Sequence, residues 1–154
     1  MLKKNLERYT IRIAAYCLMP NHFHLLLNPY ENDTISPFMK SLLGSYSQAL
    51  NKQRERQGPL YQGRFQSILV DKEEYLIHLA RYIHTNPVDA EVVKSTRDWQ
   101  YSNYLDIIGL RSGTLKDNSI VPERFATGYE YCKFVEEYWQ DTKKLKDYER
   151  YLID

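Results

Sequence analysis

Residues 10–27 read TIRIAAYCLMPNHFHLLL, and this stretch decides the fold. Ile11, Ile13, Ala15 and Cys17 alternate with Arg12, Ala14, Tyr16 and Leu18, the two-residue period of a half-buried strand over Thr10–Met19. Pro20-Asn21 is a turn signal, and His22–Leu27 reads as a second strand. So short a link makes the two strands a hairpin.

Outward from the hairpin the period changes to that of a helix. After a polar loop over Asn28–Thr34, Ser36 reads as an N-cap with Pro37 at the first helical position. Met39, Leu43, Tyr46 and Leu50 recur at helical spacing up to the breaker Gly58-Pro59. Leu60–Phe65 is a turn, and Gln66–Val70 is expected to be a short strand. Asp71 and Glu74 resemble a capping box for a second helix with the apolar stripe Tyr75, Leu76, Leu79, Ala80 and Ile83. Pro87 is expected to stop that helix. The order strand, strand, helix, strand, helix places the chain among α+β folds. Trp99, Tyr101 and Tyr104 form an aromatic cluster, and Arg111–Ser119 reads as a loop. Tyr129–Leu152 reads as one or two helices, with Tyr131, Phe134, Tyr138 and Trp139 expected in a core or an interface. Residues 1–110 are thus the main body, and 111–154 a loop and helical extension of the same domain.

A length of 154 residues suits one domain with a modest core. With 43% hydrophobic and 27% charged residues, the composition is globular, not disordered. A net charge of +1 argues against a uniformly basic nucleic-acid coat. The charge is uneven, however. Between Ser36 and Ser67, Lys40, Lys52, Arg54, Arg56 and Arg64 face only Glu55, while from Tyr129 onward seven acids oppose five bases. Cys17 and Cys132 form neither a disulfide framework nor a CxxC pair, which points to a reducing cytoplasm. The first ten residues are polar, without a signal segment. No apolar run approaches the roughly 20 residues that span a membrane.

His22-Phe23-His24 is the sharpest local feature. Alternate side chains of a strand share a face, so both imidazoles point the same way and Phe23 is expected in the core. Two such imidazoles can chelate one divalent ion, although His-x-His also occurs as plain surface or core decoration. Cys17 is a conceivable added ligand, but the set falls short of a structural zinc pattern. On the second helix His78, Tyr82 and Asn86 stand four apart in one column. Tyrosine ionises near pH 10 and is a weak nucleophile unless a Lewis acid polarises its target. Tyr82 at the edge of the apolar stripe is the candidate nucleophile, or else an ordinary boundary tyrosine. Asn86 is a candidate oxygen ligand, and His78 a candidate base or an exposed helical histidine. His84 points elsewhere on the helix and has no assigned role. Lys52, Arg54, Arg56 and Arg64 are candidate phosphate contacts, and Tyr61 and Phe65 candidate stacking groups, against the alternatives of a solvated helix end and local packing.

Four ordered blocks carry a family resemblance. Tyr16–Leu27 (YCLMPNHFHLLL) resembles the HUH segment of the REP-associated tyrosine transposases, relatives of the single-tyrosine insertion-sequence transposases. Gly58–Phe65 (GPLYQGRF) resembles their basic-aromatic turn, Arg81–Pro87 (RYIHTNP) their catalytic-helix segment, and Trp99–Tyr104 (WQYSNY) their downstream aromatic segment. The resemblance spans about Thr10 to Tyr104. It implies a ferredoxin-like HUH-nuclease domain and metal-dependent nicking and strand transfer on single-stranded or hairpin DNA, through a 5′-phosphotyrosine and a free 3′-hydroxyl. His22 and His24 match the HUH histidines and Tyr82 the nucleophile. Asn86 falls at the polar position four residues later, and magnesium or manganese is the implied ion. The insertion-sequence relatives are dimers and the REP-associated ones act as monomers, which leaves a homodimer open. Two departures accompany the match. Only about nine residues precede the first strand, where the family has a strand and a helix. Asp89 and Glu91 stand where it tends to have basic and glycine residues. A truncated, inactive nucleic-acid-binding descendant is therefore the alternative expectation.

Overall fold

A computed structural model describes residues 1–113, 115 and 121–137. Tyr138, Trp139 and the rest of the helical stretch expected up to Leu152 lie outside the described residues. The fold is α+β, and the described chain divides into two compact units.

The first unit comprises residues 1–12 and 29–67. It opens with α1 (Leu2–Arg8), where the sequence reading placed no element. Leu2 and Leu6 stand one turn apart, and Leu6 is fully buried. The helix ends as Thr10 adopts φ 52°, turning the chain into the strand. A 3-10 turn, Asn32–Thr34, then leads into α2 (Ile35–Gln53). Thr34, not Ser36, is the N-cap, so Pro37 falls third in the helix. Proline is tolerated there because first-turn N–H groups have no partner within the helix. Phe38 and Met39 are buried, and the Phe38 ring meets Tyr9 edge-on at 6.1 Å. The rest of the expected stripe is half-buried, and Tyr46 is exposed. α2 stops at Gln53, short of Gly58-Pro59, because Glu55 takes a left-handed φ of 50°. The Arg56 amide then bonds back to Asn51 O at 3.0 Å, the six-to-one bond of a Schellman cap.

The second unit holds residues 13–28 and 68–154. β1 (Ile11–Leu18) begins in the first unit and runs into this one, where it pairs with β2 (Phe23–Pro29) in a two-stranded sheet. The free edge of β1 is taken by residues 101–103, not by Gln66–Val70, which forms no strand. Leu18 N donates to Tyr101 O at 2.8 Å, Cys17 and Ser102 form an antiparallel bridge, and Asn103 N donates to Tyr16 O at 3.4 Å.

α3 (Glu73–Asp89) supplies Leu79, Ala80 and Ile83 to a core with Ala14, Ala15, Cys17 and Leu26. Its N-cap is Lys72, one residue after the expected Asp71, and the Lys72 side chain makes no capping bond. The helix runs through Pro87, contrary to expectation. Ala90 N bonds to Asn86 O and Val92 N to Pro87 O, both at 2.9 Å, so two carbonyls of the last turn are satisfied. α4 (Tyr104–Ile107) and α5 (Gly128–Glu136) also belong to this unit, and Tyr104 and Tyr131 are fully buried in it. Thr127 caps α5 by accepting from Glu130 N. Of the C-terminal aromatics, Tyr131 is core and Phe134 packs beside it. Among the described residues, no helix is long and apolar enough to cross a membrane.

Candidate functional site

The turn at Pro20-Asn21 sets the start of β2, and His22 stands just before the strand's first residue. The even-numbered face of β2 carries His24 and Leu26, and Leu26 is the strand's buried residue. Phe23, expected in the core, is only half-buried on the other face. The histidine side is therefore the one that meets the core to which α3 belongs.

The two imidazoles converge: His22 Nε2 and His24 Nε2 are 3.1 Å apart, with the rings nearly perpendicular at 87°. His22 Nδ1 lies 2.7 Å from Asn21 Oδ1. An amide oxygen only accepts, so Nδ1 carries the proton and Nε2 presents its lone pair. This is the orienting bond that a metal-binding histidine usually makes with its second nitrogen. Two nitrogens bound to one ion at about 2.0–2.1 Å, at angles from 90° to tetrahedral, are separated by about 2.9–3.4 Å. The observed spacing falls inside that range, so the pair fits a shared cation.

The Tyr82 ring lies beside the pair, 6.2 Å from the His24 ring at 74°. Tyr82 is half-buried, held by its helix yet reachable. Asn86, one turn further along α3, is buried. Among the described residues, no group of three or more His, Cys, Asp or Glu is placed to hold a metal. Cys17 is removed as a ligand. It is fully buried, its thiol lies 3.8 Å from the Met19 sulfur, and burial pushes its pKa up to about 12. The thiolate that a metal needs is thus disfavoured. His78 is engaged with Arg81, Nδ1 to Nη2 at 3.3 Å, and tilts against the Phe134 ring.

The sequence reading gave His84 no role, yet it is the hub behind this site. Its Nε2 lies 2.8 Å from Asn103 Oδ1, and its Nδ1 lies 2.7 Å from the Tyr131 hydroxyl. Because Oδ1 accepts, Nε2 carries the proton and Nδ1 accepts from Tyr131. Asn103 Oδ1 also accepts from Tyr16 N at 2.8 Å, and Asn103 Nδ2 donates to Ala14 O at 3.3 Å. One asparagine thus ties the helix that carries Tyr82 to the strand whose hairpin carries the histidines. Burial lowers the His84 pKa to about 4, so the ring is neutral. The WQYSNY block contained this signal, since a buried polar side chain such as Asn103 among aromatics has to bond something.

The cationic candidates belong to the first unit. Lys52 is in the last turn of α2, Arg54 is its C-cap, and Arg56 and Arg64 lie beyond it, all exposed. Tyr61 is half-buried, and burial first, then Tyr46, raises its pKa. The segment is tethered where Asn51 Nδ2 donates to Gly58 O at 3.0 Å.

The site is thus a histidine pair at the start of β2 beside a tyrosine of α3, in an α+β protein. Residues 1–86 match the model of the IS200-like transposases, and the chain belongs to that family. It is 29% identical over 112 residues to a Haemophilus influenzae protein that carries the name of a REP-associated tyrosine transposase, covering 66% of this chain. The match spans 64% of that relative's length. No solved structure matches the chain.

Proposed function

We propose that this protein nicks and rejoins single-stranded or hairpin DNA, with Tyr82 as the nucleophile. The observation that carries the reading is the convergence of His22 Nε2 and His24 Nε2 to 3.1 Å, with the Tyr82 ring beside them in the same compact unit. The β1–β2 hairpin and α3 are taken as the working part of a ferredoxin-like HUH domain. His22 and His24 would hold magnesium or manganese, and Asn86 is the oxygen donor one turn beyond the tyrosine. When bound, the ion supplies Lewis-acid polarisation of a scissile phosphate.

The chain's own groups do the rest. Asn21 holds His22 in the tautomer that offers Nε2. α3 presents the Tyr82 oxygen to the phosphorus, and the phenol proton is lost to water as the P–O bond forms. The bond to the 3′ oxygen breaks and that oxygen takes a proton from water, leaving a 3′-hydroxyl and a 5′-phosphotyrosine. Attack by a 3′-hydroxyl reverses the exchange and restores a phosphodiester without ATP.

The test is incubation with labelled single-stranded hairpin DNA and magnesium or manganese, followed by a denaturing gel. The expected result is a covalent adduct that Tyr82→Phe abolishes and that His22→Ala and His24→Ala each reduce at least tenfold. DNA binding without any adduct would overturn the catalytic reading and leave an inactive DNA-binding descendant.

A further inference from the structure

The two units differ in formal charge. Residues 1–12 and 29–67 hold nine Lys and Arg against four Asp and Glu, a net +5. Residues 13–28 and 68–154 hold twelve against sixteen, a net −4. The near-neutral total therefore hides a cationic unit and an anionic one, and the candidate nuclease site lies in the anionic unit. Attraction for a phosphate backbone has to come from the other.

Within the cationic unit, a groove of about 390 Å³ runs between the end of α1 and residues 37–48 of α2. Its walls include Arg8, Tyr9, Lys40, Ser41, Gly44 and Gln48, and no acidic side chain lines it. Arg8 lies over the Tyr9 ring, 5.4 Å from its centre, which braces the guanidinium without neutralising it. Among the described residues, neither Arg8 nor Lys40 forms an ion pair, so two cations face the groove uncompensated.

Gly44 lies in the interior of α2, where glycine costs about 1 kcal/mol relative to alanine. Its backbone is not in the left-handed region, and no atom lies within 4 Å of where a Cβ would stand. Neither backbone geometry nor internal packing calls for glycine there. A bare helix surface does allow a ligand to come close to the backbone.

We propose that this groove binds the sugar-phosphate backbone of the DNA substrate, with Arg8 and Lys40 each contacting a phosphate across the open surface at Gly44. The inference rests on the proposed function for the identity of the ligand, and it assigns DNA holding to the first unit and chemistry to the second.

The test measures binding of a labelled hairpin oligonucleotide by fluorescence anisotropy over a range of salt, using the full chain. In the Arg8→Ala/Lys40→Ala double variant, affinity is expected to fall tenfold or more at physiological salt. The slope of log K against log salt should shrink by about 0.7–0.9 per cation removed. Gly44→Glu sets a carboxylate in open space and should weaken binding as much with the fold retained. Gly44→Ala should melt at a higher temperature but bind more weakly than the wild type, because its methyl group stands where the DNA backbone approaches the helix. Wild-type affinity and salt slope in the double variant and in Gly44→Glu would overturn the groove, whatever happens at Tyr82. Lost affinity in both variants, with no Tyr82 adduct in the wild type, would support the groove and sink the proposed chemistry. No DNA binding by the wild type would overturn both.

Discussion

His84 shows how one residue can couple stability to pH. Its ring is fully enclosed, donates to Asn103 and accepts from Tyr131, so the neutral form is matched by its partners and a second proton has no acceptor. The folded pKa of about 4 lies below the ordinary 6.5 because burial penalises the charged ring. Between those values the unfolded chain binds more protons than the folded one, so stability rises with pH in that window. It is fully present above about 6.5 and is lost as pH falls toward 4, by roughly 3 kcal/mol on the linkage arithmetic. Thermal melts at stepped pH should therefore show the melting temperature dropping steeply from 6.5 to 4. A His84→Gln variant, less stable at neutral pH, should show a flatter profile across the same window. Parallel profiles for the two proteins would mean that the acid sensitivity resides elsewhere.

At the scale of elements, local pattern and long-range pairing separate what the sequence could show from what it could not. The alternation of Ile11, Ile13, Ala15 and Cys17 and the stripe Leu79, Ala80 and Ile83 were legible because each element's own period records which face is buried. The same rule put His22 and His24 on one strand and Tyr82 on a helix; His24 lies in β2 and Tyr82 in α3, with their rings 6.2 Å apart, while His22 stands just before the strand. Gln66–Val70 misled because Ile68, Leu69 and Val70 have strand character but no partner; Leu69 is 85% exposed. The edge of β1 was claimed instead from far along the chain by residues 101–103, a pairing that no local window records. Pro87 misled for a related reason. It removes one amide bond, but its fully buried ring and the following cap hold the last turn. That cap carries its own prediction. Glu91 sits at φ 55°, and its N–H bonds to Val88 O at 2.9 Å, in the C′ position of a Schellman motif where glycine is the natural residue. A non-glycine residue there costs roughly 1 kcal/mol. Glu91→Gly should raise unfolding stability by about that amount in urea titrations, less the added freedom of the unfolded chain. A loss of stability would show that the Glu91 side chain makes a favourable contact that outweighs the backbone strain.

For the whole molecule, the charge division bears on what a metal ion does for the protein. If the histidine pair were the main anchor for DNA, an ion bound there would supply much of the attraction, because the surrounding unit is anionic. If the cationic unit is the anchor, holding and cutting are separate tasks, and only cutting needs the ion. Chelation distinguishes the two. With EDTA at constant ionic strength, affinity for the hairpin should stay within about threefold of its value in magnesium, because Lys and Arg on the first unit still release counterions from the backbone. The covalent adduct should vanish under the same conditions, since the weakly nucleophilic Tyr82 phenol requires a Lewis acid. Raising salt should do the reverse, lowering affinity along a log–log line while leaving adduct formation at saturating DNA nearly constant. Affinity that collapsed together with adduct formation on chelation would move the anchor to His22 and His24 and leave the +5 unit without a part in holding the substrate.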